Sequence, residues 1–302
     1  MKILIQILGP TGVGKSSMAV RVAKYFNGEV ISADSMQIYK GFDIGTAKIS
    51  ISEREDVKHH LIDVLEDCSQ FNVKKFLALS YVASENILKR GKLPIICGGT
   101  ALYLRLMIDG IFEENDIKRV SRKKLKQISE TSGLDLLYRR LFKIDSEYAE
   151  KIGENDEIRI VRGLEIFYNN GLTPTEIFSR SATPFKGYKF IRVGLTDKRE
   201  RIYKRINERV DEMIKIGLIK ETEELMKKYK IDCPPFNSIG YRESVAYIKG
   251  EITKDKCIEL IKQRSRNFAK RQLSWFRHEK DIVWFGPDDT DEIIGFINKK
   301  IN

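Results

Sequence analysis

The sequence has few cysteines for its length, and this scarcity narrows the kinds of protein it can encode. Four cysteines occur in 302 residues, at positions 68, 97, 233 and 257, and none of them forms a C-x-x-C pair. Zinc sites and disulfide frameworks depend on characteristic cysteine spacings, so neither is indicated. The sequence therefore predicts four reduced thiols, as is typical of a cytoplasmic protein.

The chain also lacks hydrophobic runs of the length that a membrane span requires. Its longest apolar stretches, ILIQILG and LPIICGG, are strand-sized, whereas a spanning helix needs about 20 apolar residues. The opening MKILIQIL leads straight into a glycine-rich loop, which predicts a first strand and not a signal peptide. A hydrophobic content of 42% with 32% charged residues indicates a folded globular protein.

Negative charge is in deficit, and the net charge is +11 with an isoelectric point near 9.3. An excess of Lys and Arg attracts polyanions by Coulomb attraction and counterion release. A lysine-rich proteome would give the same excess for solubility alone. The charge by itself therefore leaves nucleic-acid binding open.

The most informative motif is GPTGVGKS at residues 9–16, which fits the phosphate-loop (P-loop) pattern G-x-x-x-x-G-K-[ST]. An apolar run precedes it, and Met18, Val22 and Phe26 follow at helical spacing, so it lies between a strand and a helix as the motif requires. There, backbone N–H groups and the positive end of the helix bind phosphate. The motif predicts a diphosphate site, with Lys15 as a point charge and Ser16 as a magnesium ligand, and leaves open what the diphosphate is attached to.

Further apolar segments predict four more strands, at 29–34, 93–100, 189–196 and 281–286. Helical patterns separate several of them, which predicts an α/β fold, P-loop NTPase-like, with a doubly wound and mostly parallel sheet. Ligands of such sheets bind beyond the carboxyl ends of the strands. The P-loop, Asp34 and Thr100 all follow strands, so they are expected to meet at one site.

A helical insertion domain is predicted at 112–187, where the pattern is charged and helical without a convincing strand. The predicted core then has a first part at 1–111 and a second part at 188–302 with C-terminal helices. The second part contains a row of three arginines at i, i+4 spacing, which either borders a cavity or forms a solvated basic face. These are Arg201, Arg205 and Arg209.

The last long helical pattern covers 255–277. Its periodicity predicts that Ile258, Ile261, Phe268 and Trp275 face inward. Basic residues alternate with aromatic ones here, as suits a polynucleotide, but a lysine-rich surface helix has the same pattern.

Residues at the strand ends leave several chemistries open. Asp34 is a magnesium ligand, a general base or a turn residue. Thr100 either donates to a phosphate or leaving oxygen or caps the helix that follows. On these residues alone, a small-molecule kinase of the P-loop class is the default prediction.

Seven segments of the chain resemble the tRNA dimethylallyltransferases, also called tRNA isopentenyltransferases, and occur in that family's order. They are GPTGVGKS, ISADSMQIYKGFDIGTAK, HHLIDV, ICGGTALYL, NDEIRIVRGLEIF, SIGYRE and AKRQLSWFR. The resemblance covers residues 3–278 and is closest to the bacterial-length form. Nucleotide kinases do not carry DSMQIYKGFDIGTAK. Departures are small: Val13 replaces a usual Ser, Ile49 a frequent Pro, and Ala101 a Gly.

The resemblance implies transfer of the dimethylallyl group from dimethylallyl diphosphate to N6 of adenosine 37 in tRNA, with Mg²⁺ as cofactor. It implies that Asp34 accepts the proton of the adenine amine and that Thr100 and Arg209 stabilise the departing diphosphate. The diphosphate-binding residues it implies are Gly9, Pro10, Thr11, Gly12, Val13, Gly14, Lys15 and Ser16, with Ser16 also the metal ligand.

The resemblance also implies a tRNA-binding surface, with the insertion gripping the anticodon stem-loop. It indicates a cytoplasmic enzyme and neither a membrane nor a protein partner. A non-catalytic RNA-binding module is the remaining alternative, but it leaves the diphosphate site without a use. The implied tRNA-binding residues are Asp34, Ser35, Met36, Gln37, Thr100, Arg122, Ile158, Arg159, Ile160, Val161, Arg162, Asn237, Ser238, Ile239, Gly240, Tyr241 and Arg242.

Overall fold

The structure is a computed structural model that describes residues 1–112 and 120–301. Its strands are β1 (Lys2–Leu8), β2 (Gly28–Ser32), β3 (His59–His60), β4 (Leu93–Gly98), β5 (Tyr188–Leu195) and β6 (Ile282–Phe285). Its helices are α1 (Lys15–Tyr25), α2 (Val73–Lys89), α3 (Ala101–Asp109), α4 (Arg122–Ser132), α5 (Leu134–Ile144), α6 (Ser146–Ile152), α7 (Glu157–Asn170), α8 (Pro174–Ser179), α9 (Arg199–Ile216), α10 (Leu218–Lys228), α11 (Tyr241–Ile248), α12 (Lys254–Arg277) and α13 (Thr290–Ile301). Short 3-10 helices lie at Ser52–Arg54 and Pro234–Asn237.

The strands form one parallel sheet in the order β3-β2-β4-β1-β5-β6. The central strand β1 places Ile5 opposite Ile95 of β4 and opposite Ile191 of β5. This confirms the predicted α/β, P-loop NTPase-like fold. Because the strands are parallel, their carboxyl ends lie along one edge, and that edge carries the P-loop, Asp34 and Thr100.

The sheet is buried on both faces, which explains why its strands are apolar runs without polar alternation. Ile5 and Ile7 of β1 face a core cluster that includes residues of α1 and α13. Leu4 and Leu8 are also fully buried, and they point to the opposite face because side chains alternate along a strand. The predicted strands are present with ends shifted by one or two residues, but the two-residue strand β3 was too short to be predicted.

The chain folds into two compact units, one formed by residues 1–107 with 184–302 and the other by Ile108–Thr183. The sequence placed the insertion at 112–187, and residues 113–119 of that range lie outside the described residues. The second unit contains α4–α8 and has its own core. That core is formed by Leu125, Leu137, Leu141, Ala149, Ile160, Val161 and Leu164.

Residues 199–228 form two helices, because Gly217 adopts φ +109° between α9 and α10 and ends the first of them. One prediction about α12 needs correction. In α12, Ile261 is buried as predicted, but Phe268 is 38% exposed. Phe268 lines a cavity, which explains why an aromatic residue stands at a position that the core does not cover.

The prediction of four reduced thiols is wrong for Cys68 and Cys233, which form a disulfide with Cα atoms 5.0 Å apart. They are separated by 165 residues, and no sequence pattern shows that the fold brings them together. Cys97 and Cys257 are buried and free. No helix among the described residues is long and apolar enough to cross a membrane.

Candidate functional site

The P-loop connects β1 to α1 and owes its tight course to glycine. A side chain at Gly9 would place its Cβ 2.5 Å from the backbone oxygen of Leu195 on the neighbouring strand, so only glycine fits. Gly14, immediately before α1, has φ +99°, a conformation that other residues rarely adopt. The backbone N–H groups that follow are at the N-terminus of α1, where the helix dipole favours an anion. The loop thus has the geometry of a phosphate site.

Lys15 carries the charge of the P-loop, and its ammonium is partly desolvated. Its side chain is half-buried, and Nζ donates a hydrogen bond of 2.7 Å to the backbone oxygen of Pro10. Desolvation lowers the pKa of Lys15 from its usual value of 10.5 to about 8, and the nearby Arg209 contributes in the same direction. The charge of Lys15 therefore changes at a pH close to neutrality, where it affects anion binding.

Asp34 follows β2 directly and starts a turn. Its Oδ1 accepts the backbone N–H groups of Met36 at 2.8 Å and Gln37 at 3.4 Å. Burial raises the pKa of Asp34, although these two N–H groups and the charge of Lys15 oppose the shift. The turn fixes the carboxyl group with one oxygen engaged, and the raised pKa makes the carboxylate a better proton acceptor than an exposed Asp.

A cavity of about 420 Å³ brings together the side chains that the sequence placed in one site. Its wall contains Thr11 of the P-loop, Asp34, Thr100 and Arg209. Thr100 leaves β4 at the same sheet edge, held by a hydrogen bond from its backbone N–H to the oxygen of Ala33. Segments from three strand ends and one helix therefore converge here, as the parallel sheet predicts.

Only one member of the arginine row in α9 reaches this cavity. Arg201 and Arg205 pair with the buried carboxylate of Asp197, at 3.8 and 3.0 Å. Arg209 lines the cavity, and its Nη1 donates to Thr11 Oγ1 at 3.4 Å. Arg209 thus borders the cavity, as one interpretation of the row predicts. Arg201 and Arg205 do not form the alternative, a solvated basic face, because their pairing with Asp197 anchors the start of α9.

A second cavity of about 800 Å³ adjoins the first, because Ala47, Arg209 and Met213 line both. The exposed Ser16 lines the second cavity, and so do apolar residues that are themselves largely buried, such as Val20 and Ile49. Among the described residues, no group of three or more His, Cys, Asp and Glu side chains is placed to hold a metal. Since Mg²⁺ keeps waters and binds with substrate phosphates, one hydroxyl from Ser16 suits a magnesium ion shared with a diphosphate.

Most residues of the predicted tRNA motifs in the first unit also line the smaller cavity. They are Asp34, Ser35, Met36, Thr100, Asn237, Ser238, Ile239, Gly240 and Arg242. Tyr241 is fully buried instead, donating from its hydroxyl to Glu221 Oε1 at 2.5 Å. The Gln37 amide donates to the backbone of Thr46 at 3.2 Å. The hydroxyl of Tyr241 also accepts the N–H of Gly45 at 3.2 Å, so these two side chains hold the loop after β2 in place.

The predicted tRNA residues of the second unit divide into exposed and buried ones. Ile158 is 76% exposed, and Arg159 lies beside it at the surface. Arg122 and Arg162 each donate at 2.7 Å to Oε2 of Glu165, whose carboxylate is buried. Burial raises the pKa of Glu165, but the two arginines outweigh this and lower the pKa below its usual value.

Ile160 and Val161 do not lie on that surface. Both side chains are fully buried in the core of the second unit. Their side chains are therefore not available to contact tRNA, because a continuous motif on a helix includes residues that face the core. Their packing keeps α7 in position, and the exposed residues of the same motif remain accessible to a ligand.

A model of the IPP transferase family matches residues 37–279. The chain belongs to the IPP transferase family. This membership accounts for the sequence segments that a P-loop kinase leaves unexplained, since they lie within or beside the matched range.

Relatives match along nearly the whole chain. The tRNA dimethylallyltransferase of Carboxydothermus hydrogenoformans is 44% identical over 99% of this chain and 96% of its own. That of Bacillus subtilis is 41% identical over 93% of this chain and 90% of its own.

Solved structures of the same family share the fold. The tRNA isopentenylpyrophosphate transferase of Bacillus halodurans has a TM-score of 0.74 and 38% identity, covering 100% of this chain and 97% of its own. A eukaryotic dimethylallyltransferase acting on tRNA has a TM-score of 0.78 and 31% identity, covering 100% of this chain and 78% of its own.

The structure of this family member also places residues at the site that sequence reasoning missed. Phe268, Arg271 and Ser265 of α12 line the smaller cavity, and Gln272 of the same helix contacts the P-loop. The segment AKRQLSWFR contains Arg271 and Gln272, so the resemblance pointed to the correct helix. It could not show which face of that helix lies at the site.

Proposed function

We propose that this enzyme transfers the dimethylallyl group from dimethylallyl diphosphate to N6 of adenosine 37 in tRNA and releases diphosphate. The names of its relatives support tRNA prenylation. The observation that carries the proposal is that Asp34 shares the wall of the smaller cavity with Thr11, Thr100 and Arg209. A proton acceptor and groups suited to a departing diphosphate thus lie within reach of one reacting centre.

Asp34 acts at the nucleophile. The exocyclic amine of adenine is a weak nucleophile because its lone pair is delocalised into the ring. A carboxylate that accepts its proton as the new N–C bond forms makes the amine competent. Asp34 fits this role better than that of a metal ligand, since it lines the smaller cavity while Ser16 lines the other.

The P-loop acts at the leaving group. As the C–O bond of dimethylallyl diphosphate breaks, negative charge develops on the diphosphate. The loop N–H groups, Lys15 and Arg209 are positive groups fixed in advance of the reaction, and such groups contribute most where charge develops. Thr100 supports the same end with its hydroxyl. A magnesium ion held by Ser16 and the diphosphate would neutralise part of this charge.

The adenine reaches the smaller cavity by leaving its stack. Extruding a base costs a few kcal/mol and costs least in a single-stranded loop such as the anticodon loop. The exposed aromatic ring of Phe268 on this cavity, with the guanidinium of Arg271 5.9 Å from its centroid, provides a surface suited to a base. The net charge of +11 supports binding of the tRNA phosphate backbone. We also propose that the enzyme acts in the cytoplasm.

One assay tests the function. The protein is incubated with tRNA, dimethylallyl diphosphate and Mg²⁺, and the tRNA nucleosides are then examined for prenylated adenosine at position 37. We expect its formation to depend on all three components. ATP consumption without prenylation would favour the kinase interpretation, and tRNA binding without either reaction would favour the RNA-binding module.

We predict that Arg122→Gln weakens tRNA binding and makes it less dependent on salt. Each neutralised phosphate contributes about 0.7–0.9 to the slope of log affinity against log salt, so the slope should fall by about that amount. Gln avoids placing a second carboxylate beside Glu165, which Arg162 continues to pair. The measurement is tRNA affinity across a salt series.

Arg139→Gln is the matched control, because Arg139 is an exposed arginine of the same unit whose partner, Asp135, lies one turn away on the same helix. It should leave the salt slope at the parent value, and dimethylallyl diphosphate should bind both variants normally. Equal slopes for the parent and Arg122→Gln would remove Arg122 from the tRNA-binding surface.

A further inference from the structure

The side-chain amide of Gln272 joins two segments of the diphosphate site that lie far apart in the sequence. Its Oε1 accepts the backbone N–H of Thr11 in the P-loop at 2.8 Å. Its Nε2 donates to the backbone oxygen of Gly99, at the end of β4, at 2.9 Å. The residue is 6% exposed, so water competes little for these two hydrogen bonds, and both ends of the amide are used.

Each of these hydrogen bonds is made to a residue that contacts or directly precedes a group assigned to the leaving diphosphate. Thr11 carries the hydroxyl that accepts from Arg209, and Gly99 precedes Thr100. The contact with Gly99 is so close that a Cβ at that position would lie 2.2 Å from Nε2 of Gln272. With Gln272 in this position only glycine fits at residue 99, and the amide sets the spacing between the P-loop and the turn that carries Thr100.

We propose that Gln272 is a positioning residue of the transfer reaction, which holds the P-loop and the Gly99–Thr100 turn at one fixed spacing. This inference rests on the proposed function. Electrostatic stabilisation of a departing group depends on donors that are in place beforehand. A displacement of about 1 Å in such a site costs up to about 10²-fold in rate. Gln272 acts through Thr11 and Thr100 and does not itself touch the substrates.

A purely structural role is the alternative, and α12 allows the two to be separated. The helix is anchored by other buried side chains, among them Ile261, Ala269 and Phe276, so it does not depend on the amide of Gln272 for its place. A second buried glutamine offers a comparison. Gln6 is fully buried in β1, where it donates to the oxygen of Leu104 at 3.2 Å and accepts from Arg192 Nε at 3.1 Å.

The first test compares Gln272→Met with Gln6→Met, since each keeps the chain length of the side chain and removes a buried amide. We expect Gln272→Met to lower the single-turnover rate by about 10-fold to 10²-fold at saturating tRNA and dimethylallyl diphosphate. Its affinity for tRNA should stay at the parent value. Gln6→Met should lower the melting temperature and leave the single-turnover rate unchanged.

The second test uses Gln272→Glu, which is isosteric and titratable. When protonated, the introduced carboxyl group donates to Gly99 and accepts from Thr11, as the amide does. When ionised, its oxygen faces the oxygen of Gly99 and the contact is lost. The ratio of variant to parent single-turnover rates should therefore rise as pH falls, and taking the ratio cancels the titration of Asp34.

Three results would each overturn the inference. The first is a parent rate in both Gln272 variants. The second is a Gln6→Met variant that loses as much rate as Gln272→Met for the same loss of thermal stability, and the third is a rate ratio for Gln272→Glu that stays constant with pH. A parent protein that forms no prenylated adenosine would instead overturn the proposed function, and this inference with it. An active parent with fully active Gln272 variants overturns this inference alone.

Discussion

Asp34→Asn is expected to lower the single-turnover rate of prenyl transfer by about 10²–10⁴-fold, the range found when a positioned proton acceptor is removed. Asn keeps the size of the side chain and an oxygen to accept from Met36 and Gln37, so the turn should persist. It cannot take the proton of the adenine amine. Because the pKa of Asp34 is raised by burial, the parent rate should also fall as acid protonates this carboxylate.

The measurement is the single-turnover rate across a magnesium titration with saturating tRNA. Asp67→Asn is the matched control, because Asp67 makes the same kind of contact, Oδ1 to the N–H two residues on, at an exposed position. It should react at the parent rate. If added magnesium restores Asp34→Asn to near that rate, Asp34 is a metal ligand and the base assignment is wrong.

The centre of this site was predictable because its chemistry depends on local sequence. The P-loop is a continuous motif, and a strand followed by Asp34 or Thr100 leads to the same sheet edge in any parallel α/β fold. The apolar runs predicted the strands because both faces of the sheet are buried. For these residues, the buried parallel sheet determines both the local sequence pattern and the position in the fold, so the pattern predicts the position.

The remaining features depend on contacts that local patterns do not contain. Arg205 and Arg209 are equivalent in the periodicity of α9, and only the fold pairs the first with Asp197 and turns the second to the cavity. The disulfide between Cys68 and Cys233 and the bridge made by Gln272 likewise join distant segments. Such pairs become visible only in three dimensions.

Lys15→Met is expected to reduce the single-turnover rate by about 10²–10³-fold, the usual cost of removing one preorganised group that stabilises developing charge. Met keeps the aliphatic stem of the side chain and removes the charge, so the P-loop backbone should keep its course. Transfer should slow and dimethylallyl diphosphate should bind less tightly, while tRNA affinity stays at the parent value. Rapid-quench measurement of prenylated tRNA at saturating substrates reports the rate, and Lys24→Met is the control, since it removes an exposed lysine of the same helix that pairs with Glu55.

The pH dependence of diphosphate binding identifies the charge responsible. The pKa of Lys15 is lowered to about 8, so the ammonium is present below that pH and is lost as pH rises through it. An anion that binds the charged form must then bring a proton with it, and affinity for dimethylallyl diphosphate should fall by about tenfold per pH unit above pH 8. Lys15→Met should lack this alkaline decline, and Lys24→Met should retain it. An equal decline in Lys15→Met would show that another group titrates, and the loop lysine would then lose its assignment as the charge that holds the diphosphate.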